Sequence, residues 1–281
     1  MPLLFELTLL LVGVAGGYVG SMTGLGGAVV IMPVLALFLG VPVEYAVGAS
    51  LVSTIATSSG AAAAYVRDRI TNIRIGMSLE IGTTLGAIIG ALLAFMVYSH
   101  GLSDIIFIAF GLVLLMSLYF MLRRGGGARG DGPDWTTRLF RLRGSYYDRT
   151  MGKRISYTGI RWWLGETVMF FAGILSGLLG IGSGVLKVLG MDKGMHLPIK
   201  VSTATSDFMI GVTAVTGSAV YWALGYIRPA LVAPVIVGVV VGSYLGSRSM
   251  ETTRGGRLAL LFSIVLAVVG IEMVLRGLGI A

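Results

Sequence analysis

The chain has 281 residues, 56% hydrophobic and only 12% charged, with 21 Lys and Arg against 13 Asp and Glu for a net charge of +8. Soluble domains carry about twice that share of charge, so an integral membrane protein is expected. No cysteine and two histidines exclude disulfides, thiolate metal sites and cysteine nucleophiles, and leave little for a metal centre.

In chain order, the apolar runs 3–22, 43–65, 76–98, 104–122, 162–179, 199–224, 229–247 and 258–275 each approach the roughly 20 residues needed to cross a bilayer, which predicts eight crossings. The first run opens Met1-Pro2-Leu3-Leu4-Phe5-Glu6 without a basic segment and reads as a retained helix rather than a signal peptide. Two shorter runs, 28–39 and 184–195, follow the breaks Thr23-Gly24-Leu25-Gly26-Gly27 and Gly180-Ile181-Gly182-Ser183-Gly184. Their length suits half-helices or re-entrant segments. The stretch 123–160, with a Gly-rich, flexible start, collects Arg123, Arg124, Arg129, Arg138, Arg141, Arg143, Arg149, Lys153 and Arg154, with Arg161 just after it. Such a basic linker belongs on the cytoplasmic side, and that preference explains the positive charge without nucleic acid. Trp162, Trp163 and Trp222 sit at span ends as interface anchors.

Residues 17–90 align without a gap on 173–246 at an offset of 156. Gly24 and Gly180, Gly26 and Gly182, Pro42 and Pro198, Ser50 and Ser206, Thr57 and Thr213, and Tyr65 and Tyr221 coincide, as do Gly82, Gly86 and Gly90 with Gly238, Gly242 and Gly246. The chain is a tandem duplication, and transporters build central binding sites from such repeats. The basic loop changes sides between copies. Arg67, Arg69 and Arg74 precede the run 76–98, whereas Arg248, Arg254 and Arg257 follow its second copy, 229–247. Equivalent helices then run in opposite senses, an inverted repeat with an odd number of crossings per half, the short runs supplying the fifth; if those runs are merely bends, a parallel four-plus-four arrangement is the alternative. The expected fold is all-α and polytopic: an N-terminal membrane repeat 1–122, the linker 123–160 and a C-terminal membrane repeat 161–281.

Glycines spaced by four at Gly82, Gly86 and Gly90 predict close helix packing. The clustered glycines of the breaks predict a site, because a helix restarting after a break aims its amides and positive dipole end into the protein, where an anion fits. Gly24, Gly26, Gly27, Gly180, Gly182, Ser183 and Gly184 are therefore candidate substrate contacts. Lys187 lies just beyond the second break, where the first copy has Ile31. An ionisable side chain at membrane depth is a functional candidate, with snorkelling or pairing to Asp207 as the bland alternatives. Hydroxyls in apolar helices usually bond their own carbonyls; among them Ser50, Thr205 and Ser206 stand out as donors to an anion. Asp207, opposite Leu51 in the alignment, and Glu80 are candidates for coupling or proton relay. A dinucleotide fingerprint at Gly180-x-Gly182-x-Gly184 lacks its final glycine, its strand and its acidic partner. A rhomboid-type serine protease would need a glycine where Ile181 stands.

Gly24-Leu25-Gly26-Gly27 with Pro33, Val41-Pro42, Gly48-Ala49-Ser50-Leu51, the second copy Gly180-Ile181-Gly182-Ser183-Gly184, Pro198-Ile199-Lys200 and Thr203-Ala204-Thr205-Ser206-Asp207-Phe208 together resemble the sulfite exporter TauE/SafE family of bacterial membrane transporters. The resemblance spans nearly the whole chain apart from the linker, and departs from the family pattern at Ser183 and Leu189. It implies movement of sulfite or a small organosulfonate such as sulfoacetate across the cytoplasmic membrane. The expected protein is a secondary transporter, an exporter of a small anion working by alternating access; a passive anion channel and, more remotely, an intramembrane enzyme are the alternatives. Expected partners are the anion, the bilayer, a coupling proton or cation and a second copy of the chain, with no cofactor, metal or nucleic acid.

Overall fold

The computed structural model describes residues 3–23, 26–122, 134–148, 152–252 and 255–280. Gly24 and Leu25 of the first break, and Arg123, Arg124, Arg129, Arg149 and Arg254 among the basic residues, lie outside these. Helix α1 (Leu3–Thr23) leads through the first break to α2 (Ala28–Pro33), which widens into a π-helical turn at Val34–Phe38. Then come α3 (Val43–Arg67), α4 (Ile73–Ser99) and α5 (Ser103–Leu122). The second copy repeats the series as α7 (Trp162–Leu179), α8 (Gly184–Leu189) with a π-helical turn at Gly190–Gly194, α9 (Ile199–Ala223), α10 (Pro229–Thr252) and α11 (Gly255–Gly277). Between the two lie a short helix α6 (Trp135–Leu139) and the strands β1 (Arg143–Asp148) and β2 (Lys153–Thr158).

The protein is an all-α polytopic membrane protein, and the eight expected crossings are met in part. Helices α1, α3, α4, α7 and α10 contain stretches long and apolar enough to span. Among the described residues α5 contributes a shorter apolar stretch, Ser103–Tyr119, and α9 carries Lys200, Asp207 and a run of hydroxyls that dilute the apolar signal of a 20-residue span.

Local chemistry sets the boundaries. Pro42 and Pro198 cannot continue the preceding turn but accept the first amides of the next helix, from Ala46 at 3.0 Å and Ser202 at 2.9 Å. Asn72 caps α4 by accepting the Ile75 amide at 3.1 Å. The two π-turns close with matching bonds, Val41 N–H to Leu35 O and Leu197 N–H to Met191 O, both 3.0 Å. Leu189 in place of Pro33 therefore leaves the second short helix unchanged in form.

Glycine determines which helices meet. A Cβ at Gly82, Gly86 or Gly90 would strike Glu166, the Phe170 carbonyl or the Ile174 carbonyl, and one at Gly173 or Gly177 would strike the Thr83 or Ala87 carbonyl. Helices α4 and α7 thus lie backbone to backbone, running in the same direction. Gly238, Gly242 and Gly246 of α10 meet Leu10, Val14 and Tyr18 of α1 in the same way. Helices α3 and α9 cross antiparallel between these pairs, with Gly211 against Ser58 and Gly217 against Leu51.

The linker past residue 133 is folded, which composition did not foretell. Strands β1 and β2 form an antiparallel hairpin with Ser145 opposite Ser156, and Phe140 stacks on Trp162 at 4.3 Å between centroids. Asn72 Nδ2 donates to Tyr157 Oη at 3.0 Å, fastening the hairpin to the α3–α4 loop. Asp134 pins the other end. Partial burial opposes its ionisation, but hydrogen bonds from the Thr136 hydroxyl, the Thr137 amide, the Arg161 amide and the Thr137 hydroxyl outweigh it and hold the carboxyl at about 2.

A methyl at Gly86 has nowhere to go, so Gly86→Ala is expected to destabilise the protein by about 1–3 kcal/mol. Gly60→Ala, whose Cβ meets nothing within 4 Å, is expected to change stability by about 0.5 kcal/mol or less. Apparent melting temperatures in detergent measure the contrast.

Candidate functional site

The two breaks converge on α3. Gly26 has φ +80°, and Gly180 and Gly182 have φ +73° and +72°, conformations that need glycine. A Cβ at Gly26 or at Gly182 would lie 3.1 or 3.3 Å from the Thr54 methyl, so one buried threonine touches both breaks. Ser183 is itself left-handed at φ +49°, and its buried hydroxyl has no hydrogen-bond partner. Gly27 and Gly184 are buried beside these turns.

The candidate hydroxyls divide by partner. Ser50 Oγ donates to Val47 O at 2.8 Å and reaches across the halves to Gly180 O at 3.2 Å. Ser206 Oγ donates to Gly184 O at 3.2 Å. Both thus hold the second break by its carbonyls. Thr205 Oγ1 accepts the Asn72 amide at 3.1 Å and ties the α3–α4 loop to α9.

Lys187 is 0% exposed. Its ammonium donates to Thr213 Oγ1 at 2.5 Å, and Thr213 reaches Glu80 Oε1 at 2.7 Å as well as its own helix at Met209 O, 2.7 Å. One hydroxyl carries one proton, so Thr213 accepts from the lysine and gives its proton to the carboxylate or the carbonyl. The result joins α8, α9 and α4 through a positive charge, a hydroxyl and a negative charge in a region almost without water. At the aligned position Thr57 Oγ1 instead accepts the Gly27 amide at 3.3 Å. The same threonine serves a backbone donor in one copy and an ammonium in the other.

Lys187 is therefore not paired with Asp207. Asp207 is 3% exposed, and its Oδ2 has no hydrogen-bond partner. Glu80 is 4% exposed, with Oε2 likewise unpartnered. A cavity of about 20 Å³, lined by Ser183, Gly184, Ile181, Ser117 and neighbours, adjoins the second break; it holds about one water and no larger anion. A wider cleft of about 240 Å³ opens between α3 and α9 beside Ser58, Ser59, Phe208 and Gly211. Among the described residues, no three His, Asp or Glu side chains cluster as metal ligands would.

Two participants carried too little sequence signal to stand out. Thr213 was one of many hydroxyls, distinguished only by its alignment with Thr57. Glu166, half-buried with Oε2 unpartnered and packed on Gly82, lies where the first copy has Leu10.

The sequence pattern of the family described as sulfite exporter TauE/SafE matches residues 9–273. A Bacillus subtilis protein named "Probable membrane transporter protein YunE" is 28% identical over 278 residues, covering 96% of this chain and 97% of its own. A Methanocaldococcus jannaschii protein, also named as a probable membrane transporter, is 25% identical over 283 residues, covering 95% and 94%. No solved structure matches the chain.

Thr213→Val keeps the shape but strands the ammonium and one carboxylate oxygen without their shared partner. It is expected to destabilise the protein by about 1–3 kcal/mol, and by more than Thr57→Val, whose hydroxyl meets only uncharged backbone groups: the Gly27 amide at 3.3 Å and its own helix at Thr54 O, 3.0 Å, and Ser53 O, 3.3 Å. Melting temperatures of the two variants test the ranking.

Proposed function

The chain belongs to the sulfite exporter TauE/SafE family of membrane transporters, and on that premise we propose that it is a secondary transporter that exports a small anion such as sulfite or an organosulfonate like sulfoacetate across the bacterial cytoplasmic membrane. The observation that carries this reading is the buried ammonium of Lys187 beside a broken helix. An unneutralised positive charge at that depth is costly, and here it is answered by a hydroxyl and a carboxylate rather than a dedicated ion pair. An arriving sulfonate can replace the carboxylate as the counter-charge of the ammonium. The unpartnered Ser183 hydroxyl is the nearest spare donor along the chain, while Ser50 and Ser206 keep the break open by holding its carbonyls.

Alternating access follows from two inverted halves, 1–122 and 161–281, joined by the cytoplasmic linker 123–160. Chain direction supports this. Helix α1 turns back at the break, since Gly16 faces Ile31 and Gly20 faces Gly27; the chain reverses again into α3 and again into α4. Helix α1 thus opposes α4. Helix α7 runs with α4, and so opposes its own counterpart α1. The approach of both breaks to one Thr54 supports a site where the halves meet, as in other transporters built from inverted repeats.

Purified protein in liposomes is expected to show counterflow, with labelled sulfoacetate entering faster when unlabelled sulfoacetate is inside. Lys187→Met is expected to slow that exchange by about tenfold to a hundredfold, the worth of one hydrogen bond to a charged group. Uptake that merely dissipates the gradient without trans-stimulation would mark a passive channel and overturn the carrier.

A further inference from the structure

We propose that Glu166 on α7 and Glu80 on α4 form a proton site whose occupancy releases Lys187 to the anion, so that the protein binds one proton together with each anion. The inference rests on the carrier reading above and adds the coupling ion and its ligands.

The geometry has three parts. Gly82 lacks a side chain where α4 meets α7, and the Glu166 carboxyl fills that space: a Cβ on Gly82 would lie 2.8 Å from Glu166 Oε1. This places Glu166 within electrostatic reach of Glu80. Each of the two carboxyls then has one buried oxygen without a hydrogen-bond partner, Glu166 Oε2 and Glu80 Oε2. A buried carboxylate oxygen without a protein donor calls for a water, a cation or a proton, and a proton is the one of these that also removes its charge. Finally, Glu80 is nine-tenths buried and its other oxygen is already committed through Thr213 to Lys187, so a change of charge on Glu80 is felt at the lysine.

The charges around the pair define the balance. Glu80 meets Thr213 of α9 and, through it, Lys187 of α8, with Glu166 of α7 within electrostatic reach; Asp207 lies on α9, one and a half turns before Thr213, and Asp192 and Lys193, 3.9 Å apart, follow α8. One lysine faces two glutamates, so a fully ionised cluster holds one negative charge too many for a membrane interior. A proton shared between the glutamates removes the excess. Glu166 is only half-buried and receives the proton from water; the proton passes to Glu80, which loses its charge, and the one remaining carboxylate charge stays on Glu166. The Thr213 hydroxyl then turns to Met209 O, and the ammonium, without the counter-charge it reached through Thr213, accepts the anion. Release of the anion returns the ammonium to Glu80, and the proton leaves to water through Glu166. Anion and proton each raise the other's affinity by the same factor.

Sulfoacetate keeps both its charges near neutral pH, so the substrate's own titration does not confuse the test. In liposomes with the membrane potential clamped, a gradient of one pH unit, acid outside, is expected to drive about tenfold accumulation of labelled sulfoacetate by the wild type. Glu166→Gln is expected to abolish that accumulation and to flatten the pH dependence of exchange, whereas Glu166→Asp restores both in part. Glu272→Gln, an exposed carboxyl on α11, serves as the control that changes neither. Wild-type exchange without accumulation under the pH gradient, accumulation driven by sodium instead, or undiminished accumulation in Glu166→Gln would each overturn the proton site while leaving the carrier standing. Absence of wild-type counterflow removes the carrier, and the coupling with it.

Discussion

A lysine side chain buried completely among membrane-spanning helices is the constraint around which the rest of the molecule is arranged. Its stem can be accommodated by apolar neighbours, but its ammonium needs donors' counterparts close by, and a bilayer core supplies none. Thr213 and Glu80 supply them from two different helices. Because those helices belong to different copies of the duplication, the lysine links the halves at the place where one helix is broken. The break matters for the same reason: left-handed glycines at 180 and 182 let α8 begin inside the protein and carry Lys187 to Thr213.

Glycine performs two separate tasks in this chain, and their difference explains much of the architecture. At Gly82, Gly86 and Gly90, and again at Gly238, Gly242 and Gly246, the absence of a side chain lets neighbouring backbones touch, which provides tight contact where water gives no hydrophobic drive between helices. At Gly26, Gly180 and Gly182 it is the positive φ that counts. The first task recurs in both copies with little change. The second recurs in geometry but not in chemistry, since the site at Gly27 and Thr57 is made of backbone and hydroxyl alone, while its counterpart holds a charge.

The helical class, the duplication and the glycine contacts were legible in the sequence because each leaves a periodic or repeated trace. The asymmetric positions Lys187 and Asp207 were legible as ionisable residues at apolar places. Their partners were not. Which helices adjoin, and at what depth, depends on packing that a list of residues does not contain, so Lys187 is linked through Thr213 to Glu80 rather than to Asp207, and Glu166 emerges only because Gly82 leaves room for it. The β-hairpin of the linker was hidden for another reason: its polar and aromatic residues, Ser145, Tyr146, Tyr147 and Tyr157, alternate over only a few positions amid basic residues that dominate the composition. Thr205 shows a structural task that the sequence did not signal. Its place in a hydroxyl-rich run suggested a ligand, yet its oxygen caps the turn into α4.

The central claim is that Lys187 exchanges its Glu80 partner for a small anion. Thermal unfolding of the purified protein against sulfite, sulfoacetate, taurine, thiosulfate and sulfate tests it most directly. An anion held at about a hundred times its Kd stabilises the folded state by about 2.7 kcal/mol. The account predicts a saturable rise in melting temperature with at least one sulfur oxyanion and its loss in Lys187→Met. An equal rise in the variant, or none in the wild type with any of these anions, would contradict it.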